Sequence, residues 1–361
     1  MANAYARPCG DFRTSYAADT TIFADAFSRR SVIVILVLLA FSPIAVQLGW
    51  LSKGWIDSFI EIGYLAVAAL GLNILVGFTG QISIGHAVFF GFGAFASAWL
   101  NRTTGIPVFF CIPIAGVMTA AVGLVFGIPA ARIKGLYLAI ATLAAQVILE
   151  DFFARAGWFT GGVAGAHAAP VTLFGWEVDR INYFYIVLFW GTLLYLAATN
   201  LMRSRDGRAF VAVRDHYLAA EIMGINLTKY RVLSFGIAAF YAGVGGALYA
   251  HYLQVVSVEE FTILKSIEFL GMIIIGGLGS IMGTILGTVF MVSLPDVMDW
   301  LVRLIRGTWL YKTLDLRVGI NFLKEMAVGV AIILFLIFEP DGLAHRWRQI
   351  KAWWKLYPFS Y

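Results

Sequence analysis

The sequence predicts an all-α integral membrane protein, a polytopic bundle of about eight to ten transmembrane helices, some of them short or broken. Three observations carry that prediction. Hydrophobic residues make up 60% of the 361 residues and charged ones only 13%, too little polar surface to cover a water-soluble domain of this length. Apolar runs recur at about the 20 residues that a helix needs to cross a hydrocarbon core ~30 Å thick. The 37 glycines suit helices that approach closely in lipid, where apolar burial between helices gives little drive. The runs do not alternate apolar and polar over about ten residues, as β-barrel strands do.

Residues 1–28 lack the apolar core of a cleaved signal peptide and read as a cytoplasmic tail. Arg29 and Arg30 precede the first apolar run and place this end inside. Spans follow at residues 31–50, 58–77, 84–100, 107–128, 136–152, 182–201 and 232–255. Alternation puts the loop with Arg132 and Lys134 in the cytoplasm, residues 154–181 outside, and the basic loop 203–231 inside. Each placement agrees with the excess of Lys and Arg expected on the cytoplasmic side.

Residues 267–297 are long for one crossing and are interrupted by Gly276, Gly277, Gly279 and Ser280. A single crossing, followed by the last span at 322–338, strands Arg346, Arg348, Lys351 and Lys355 outside. A turn at the glycines and a return keeps that basic tail inside and makes about ten membrane segments, two of them short. The return leaves Arg303, Arg306, Lys312 and Arg317 in an external loop, a conflict that an interfacial amphipathic helix over 300–309 softens. The chain thus divides into a cytoplasmic tail (1–28), a membrane domain (29–343) and a basic cytoplasmic tail (344–361).

The net charge of +5 comes from basic residues at the ends of spans rather than on one soluble face, so it points to membrane orientation and not to nucleic acid. Cys9 lies in the polar tail and Cys111 in an apolar span, so neither a disulfide nor a metal site is expected.

The loop 203–231 reads RSRDGRAFVAVRDHYLAAEIMGINLTKYR between long apolar spans and cannot lie in lipid. As a helix it gathers Phe210, Val213, Tyr217 and Ala220 on one face, with Arg208 and Asp215 on the other. An amphipathic segment held against the cytoplasmic mouth of a bundle is a docking surface for a soluble partner.

Residues 71–98 read GLNILVGFTGQISIGHAVFFGFGAFASA, with Asn73, Thr79, Gln81, Ser83 and His86 spread through Gly-rich apolar sequence. The spacing predicts a break at 77–80, including Gly80. Backbone freed at membrane depth is tolerated only where protein or a water-lined cavity satisfies it. Either this segment lines a translocation path, or its glycines permit tight packing while its polar side chains bond between helices. Glu61, Glu150, Asp151 and Glu268 sit in or near the ends of spans, where charge is costly at the bilayer centre. Glu150 and Asp151, next to Arg155, suggest a surface ion pair on the outer side, and Glu61 is likewise near an outer end.

No G-x-x-x-x-G-K-[ST] loop, H-E-x-x-H pair, paired-Cys pattern or G-x-S-x-G turn occurs, and GGLGS at 276–280 lacks a strand-turn-helix setting. The chain reads as a conduit rather than an enzyme, with no cofactor of its own and no metal, and uphill movement needs an ion gradient or a partner.

Three blocks in order, GLNILVGFTGQISIGHAVFFGFGAFASA, RAFVAVRDHYLAAEIMGI and LKSIEFLGMIIIGGLGSIMGTILG, resemble the LivM-type membrane permease of the branched-chain amino-acid ABC importers. The resemblance covers residues 64–344 and extends to TGG at 160–162 and EPDGLA at 339–344. It implies a bacterial inner-membrane subunit that forms the path for hydrophobic amino acids. It also implies a second related permease, two cytoplasmic ATPases that bind the ATP, and an extracytoplasmic solute-binding protein.

The family's coupling motif, Glu-Ala-Ala, three residues, then Gly, falls on Leu218, Ala219, Ala220 and Gly224, so Leu replaces the acidic residue. Arg208, Arg214 and Asp215 are then the candidates for polar contacts to the ATPase. The path candidates implied are Asn73, Thr79, Gly80, Gln81, Ser83, His86, Glu268, Gly276 and Gly277. An ion-coupled transporter or channel acting alone is the alternative, although no set of mid-membrane carboxylates presents itself for a coupling ion. Related permeases also move urea, short amides or aromatic acids, which leaves the solute open.

Overall fold

The computed structural model describes residues 26–50, 52–133, 135–162, 165–173, 176–305 and 316–356. Helices dominate: α1 (Ala26–Gln47), α2 (Lys53–Asn73) continued by a π-helical turn (Ile74–Phe78), α3 (His86–Thr104), α4 (Val108–Ala130), α5 (Leu136–Arg155) and the single turn α6 (Gly157–Thr160). After the external segment come α7 (Arg180–Arg203), α8 (Arg205–Asp215), α9 (Tyr217–Ile222), α10 (Leu227–Leu253), α11 (Ile263–Gly276), α12 (Ile281–Ile305), α13 (Leu316–Phe338) and α14 (Gly342–Leu356). Seven of the described helices are long and apolar enough to cross a membrane. Cys9 and the rest of the expected tail up to residue 25 lie outside the described residues, as do 306–309 of the expected interfacial helix, whose first part instead continues α12.

α10 forms the centre, packed against α2, α3 and α4. Its most apolar stretch is 78% buried, against 22% for α1 at the periphery. Close approach explains why small residues crowd here. Gly93 on α3 faces Gly243 on α10, and a Cβ on Gly246 would collide with the Phe90 carbonyl. Around these contacts Phe90, Phe95, Phe235 and Leu248 are fully buried.

The ambiguous 267–297 region turns and returns. α11 has 14 residues, about 21 Å of helix, which is short of a ~30 Å core. It stops at Gly277 and Gly279, whose φ values of 112° and 74° suit glycine. α12 then runs back beside it: a Cβ on Gly276 would overlap Gly283, and one on Gly287 would overlap the Met272 carbonyl. That antiparallel pairing returns the chain to the end at which α11 began and leaves α13 to cross back, so α14, whose first residue Gly342 abuts Gly277, lies at the same end of the bundle as the Gly277 turn.

Two local expectations change. The break in 71–98 starts later than residue 77, because the π turn keeps the backbone bonded through Phe78. The nonhelical stretch begins at Thr79, turns at Gly80 (φ 70°), and ends at Gly85. The loop 203–231 is two helices rather than one. α8 starts at Ser204, whose side chain caps the Gly207 amide, and ends at His216, whose extended φ of −154° separates it from the six-residue α9.

Between α6 and α7, β2 (Thr172–Leu173) and β3 (Trp176–Glu177) form a small hairpin, while β1 (Ala166–His167) pairs antiparallel with β4 (Val255–Val256), which follows α10. Arg155 pairs with Asp151 at 2.8 Å on an exposed surface, as expected, while Glu150 instead accepts from Gln146 at 2.6 Å. Cys111 is buried and free.

Candidate functional site: a cytoplasmic elbow and an external cavity

The amphipathic pattern of 203–231 survives its division. Phe210, Val213 and Ala220 are buried and Tyr217 is half-buried, while Arg208 and Asp215 face out. Phe210 meets the Tyr230 ring edge-on at 5.8 Å, and Tyr230 donates to Asp206 at 3.2 Å, which holds α8 beneath α10. Of the two alanines in the motif, Ala220 packs inward and Ala219 is exposed. Leu218, Ile222 and Met223 are 54%, 85% and 82% exposed, an apolar patch on a segment that stands outside the bundle. The sequence reading passed over Ile222 and Met223, because a six-residue helix sets its outward face by tertiary contact. Gly224 closes the patch in a left-handed conformation (φ 86°) with open space around it.

Arg214 links this segment to both breaks in the membrane helices. Its Nη1 donates to the Gly77 carbonyl at 2.7 Å and its Nε to Asp215 at 2.8 Å. A Cβ on Gly80 would come within 2.9 Å of the Arg214 Cγ, and one on Gly279 within 3.1 Å of its Nη1. The guanidinium thus sits between the elbow at 79–85 and the elbow at 277–280.

Asn73, the last residue of α2, fastens that helix to the second elbow. Its Nδ2 donates to Thr284 Oγ1 at 2.6 Å and to the Ser280 carbonyl at 2.9 Å, and its Oδ1 accepts from the Gly279 amide at 2.9 Å. A single buried amide therefore satisfies backbone that the broken helix frees, as burial in a membrane requires. Gly276 and Gly277 belong to the same elbow.

Thr79 and Gln81 tie the first elbow to α10, the latter through a 2.6 Å bond to Ser234. Ser83 is buried with its hydroxyl unpartnered, and Gln81 Oε1 also lacks a partner among the described residues. His86 bonds the Ala68 carbonyl at 2.9 Å and lies edge-on to Phe269. Glu268 stands apart, paired with Lys265 at 2.6 Å toward the outer end.

None of these nine path candidates lines the cavity at that outer end, which encloses about 510 Å³. Its floor is aromatic: Tyr64, Phe90, Tyr249 and Phe261, with Tyr249 5.5 Å from Tyr64 and 5.3 Å from Phe90 between ring centres. One wall is a charge relay in which Arg180 Nε donates to Asp57 at 3.0 Å, Arg180 Nη2 to Tyr252 at 2.9 Å, and the Tyr252 hydroxyl to Asp57 at 2.6 Å. Lys265, Glu61 and Glu260 complete the rim. Desolvation raises the Glu260 carboxyl above its ordinary pKa, with Lys265 opposing it. Apart from Glu61, sequence reasoning missed this group. Asp57, Arg180, Tyr252 and Lys265 come from four separate helices and carry no shared spacing.

A family model described as "Branched-chain amino acid transport system / permease component" matches residues 55–338. The chain is 30% identical over 343 residues to the high-affinity branched-chain amino acid transport system permease protein LivM of Salmonella typhimurium, covering 88% of this chain and 76% of that one. The LivM protein of Escherichia coli is 30% identical over 346 residues, covering 89% and 76%. A probable LivM protein of Methanocaldococcus jannaschii is 26% identical over 332 residues, covering 83% and 92%. No solved structure matches.

These are transport permeases, not enzymes, and they set aside both the ion-coupled transporter and the membrane enzyme. ABC importers of this kind work with ATPases and a binding protein. The chain belongs to the branched-chain amino acid transport system permease family, and is a multi-pass inner-membrane permease subunit of an ABC importer.

Proposed function

We propose that this permease carries branched-chain amino acids inward, paired with a second related permease and driven by two cytoplasmic ATPases that bind the ATP. An extracytoplasmic binding protein delivers the solute. The observation that carries the coupling is the position of Arg214, which belongs to α8 and bonds the Gly77 carbonyl at 2.7 Å beside the Gly279 elbow.

On this reading the ATPases seat on the exposed Leu218, Ile222 and Met223 patch, with Arg208, Asp215, Ala219 and Gly224 around it. Movement of α8 and α9 on nucleotide binding is passed by Arg214 to the two elbows. Asn73 makes the end of α2, which leads into the first elbow, move with the second elbow, because its bonds reach Gly279, Ser280 and Thr284. The segments bearing Thr79, Gly80, Gln81, Ser83 and His86 on one side, and Gly276, Gly277 and Glu268 on the other, then shift between outward and inward access.

The test is leucine uptake into proteoliposomes holding the assembled importer. Accumulation is expected only with ATP, both ATPases and the binding protein. Net leucine flux through the permeases alone, at the rate of the full complex, overturns the proposal.

A further inference from the structure

We infer that the external cavity is a holding site for a zwitterionic amino acid with an apolar side chain. The solute's ammonium sits between Glu61 and Glu260, its carboxylate at Arg180, and its side chain on the aromatic floor. The inference rests on the proposed solute class, and deepens it by naming the groups that recognise each end of the molecule.

Four observations converge on this site. Glu61 and Glu260 both line the cavity, and neither has a hydrogen-bond or ion-pair partner among the described residues. Two carboxylates without internal partners are suited to a cationic group, and an ammonium offers three donors to share between them. Across the cavity, Arg180 spends Nε on Asp57 and Nη2 on Tyr252, while its Nη1 has no acceptor among the described residues. The Asp57 and Tyr252 bonds hold the guanidinium plane in place, so that this remaining donor is oriented for a carboxylate rather than left to swing.

The third observation is apolar. Tyr64 gives the floor an aromatic surface for a branched aliphatic chain, and Phe90 and Phe261, almost completely buried, pack behind it. The fourth is a defect in the packing. Tyr249 also lines the cavity, is 7% exposed, and has a hydroxyl without a partner among the described residues. A buried hydroxyl left unsatisfied is costly, and a turn of Tyr249 toward the cavity lets a polar occupant relieve it. A volume of about 510 Å³ falls within the range of about 300–1,000 Å³ typical of small-molecule pockets.

The location agrees with a holding site. The cavity is built from the start of α2, the start of α7, the end of α10 and the start of α11, all at the end of the bundle opposite the Arg214 elbow. A solute released from outside meets it before reaching the elbows.

The experiment is cysteine protection in right-side-out vesicles holding the assembled importer, with Cys9 and Cys111 replaced by Ala. Ser58→Cys and, separately, Leu253→Cys place a thiol on the cavity wall, and a membrane-impermeant maleimide reports its access. Labelling without solute shows that each variant is inserted and folded open to the outside. Leucine in the millimolar range is expected to slow labelling at both positions. Isopentylamine, which lacks the carboxylate, and isocaproate, which lacks the ammonium, are expected to protect about tenfold less well. Glu61→Gln and Glu260→Gln are each expected to raise the leucine concentration for half-protection by about tenfold.

Absence of leucine protection at both positions overturns the inference. So does protection by isopentylamine equal to that by leucine, which leaves an ammonium site only, or protection unchanged in both glutamate variants. The assay needs neither ATP nor movement of solute, so ATP-driven uptake measured on the same vesicles reports separately. Intact protection with no ATP-driven uptake supports the holding site and counts against the proposed function alone.

Discussion

Arg214 and Gly77 lie 137 residues apart in sequence, and the guanidinium of the first donates to the carbonyl of the second at 2.7 Å. The carbonyl is available because the π turn at Ile74–Phe78 gives way to the nonhelical stretch at Thr79. The amphipathic α8 is thereby anchored to a break in a membrane helix by one charge-assisted bond, of a kind that contributes about 1.5–3 kcal/mol.

Arg214→Ala removes that link without emptying the core, since the side chain is 37% exposed. ATP-driven uptake is expected to fall about tenfold or more while ATP hydrolysis by the complex continues, so the ratio of solute moved to ATP hydrolysed drops. Arg214→Lys recovers only part of that ratio, because an ammonium cannot hold the Gly77 carbonyl and Asp215 in the fixed geometry of a guanidinium. Uptake and phosphate release measured on the same proteoliposomes check both. An unchanged ratio in the alanine variant refutes the linkage.

Gly224→Asp tests the docking surface separately. Gly224 has a φ of 86° and nothing within 4 Å of where a Cβ would stand, so the substitution strains the local backbone but creates no clash. The protein is expected to insert at normal levels, lose ATP-dependent uptake, and retain less ATPase on co-purification. Wild-type uptake in this variant counts decisively against a role for the α8–α9 segment.

Asn73→Leu leaves the Gly279 amide and Thr284 hydroxyl without their shared partner. Each buried group left unsatisfied costs about 1–3 kcal/mol, so the detergent-solubilised protein is expected to unfold at a clearly lower temperature. Thr284→Val removes the bond from Asn73 and the hydroxyl's own bond to the Ser280 carbonyl but leaves the Gly279 amide paired, and is expected to shift the midpoint less. Equal midpoints for Asn73→Leu and the parent protein contradict the fastening role given to Asn73.

Gly246→Ala probes the centre of the bundle. A Cβ there overlaps the Phe90 carbonyl, a backbone atom that cannot rotate away, so α3 and α10 must separate. Overpacking of this sort costs about 1–3 kcal/mol and is expected to lower the yield of folded protein in detergent. Gly191→Ala, where nothing lies within 4 Å, is the matched control and is expected to behave as the parent.

Much of this architecture is legible in one dimension. The spans and the return of the chain at 277–280 follow from the lengths of apolar runs and the glycines that interrupt them. Bilayer insertion depends on such local quantities, so a linear reading recovers it. The coupling segment is readable for the same reason: Phe210, Val213, Tyr217 and Ala220 recur at helical spacing whether or not His216 divides the helix. What that spacing does not contain is the division itself, which sets which apolar residues of α9 remain exposed.

The sequence by itself determined the class of molecule, its topology and the polar residues of the broken helices. Only the tertiary structure decided what those residues touch. Asn73 bonds an elbow residue 206 positions away, Arg214 lies between the two elbows, and Asp57, Arg180 and Tyr252 form a relay at the opposite end. Hydrophobicity and charge place each helix across the bilayer independently, whereas contacts between helices depend on how each is rotated and shifted against its neighbours. That register is set by close packing at residues such as Gly93, Gly243 and Gly246, and no single segment encodes it.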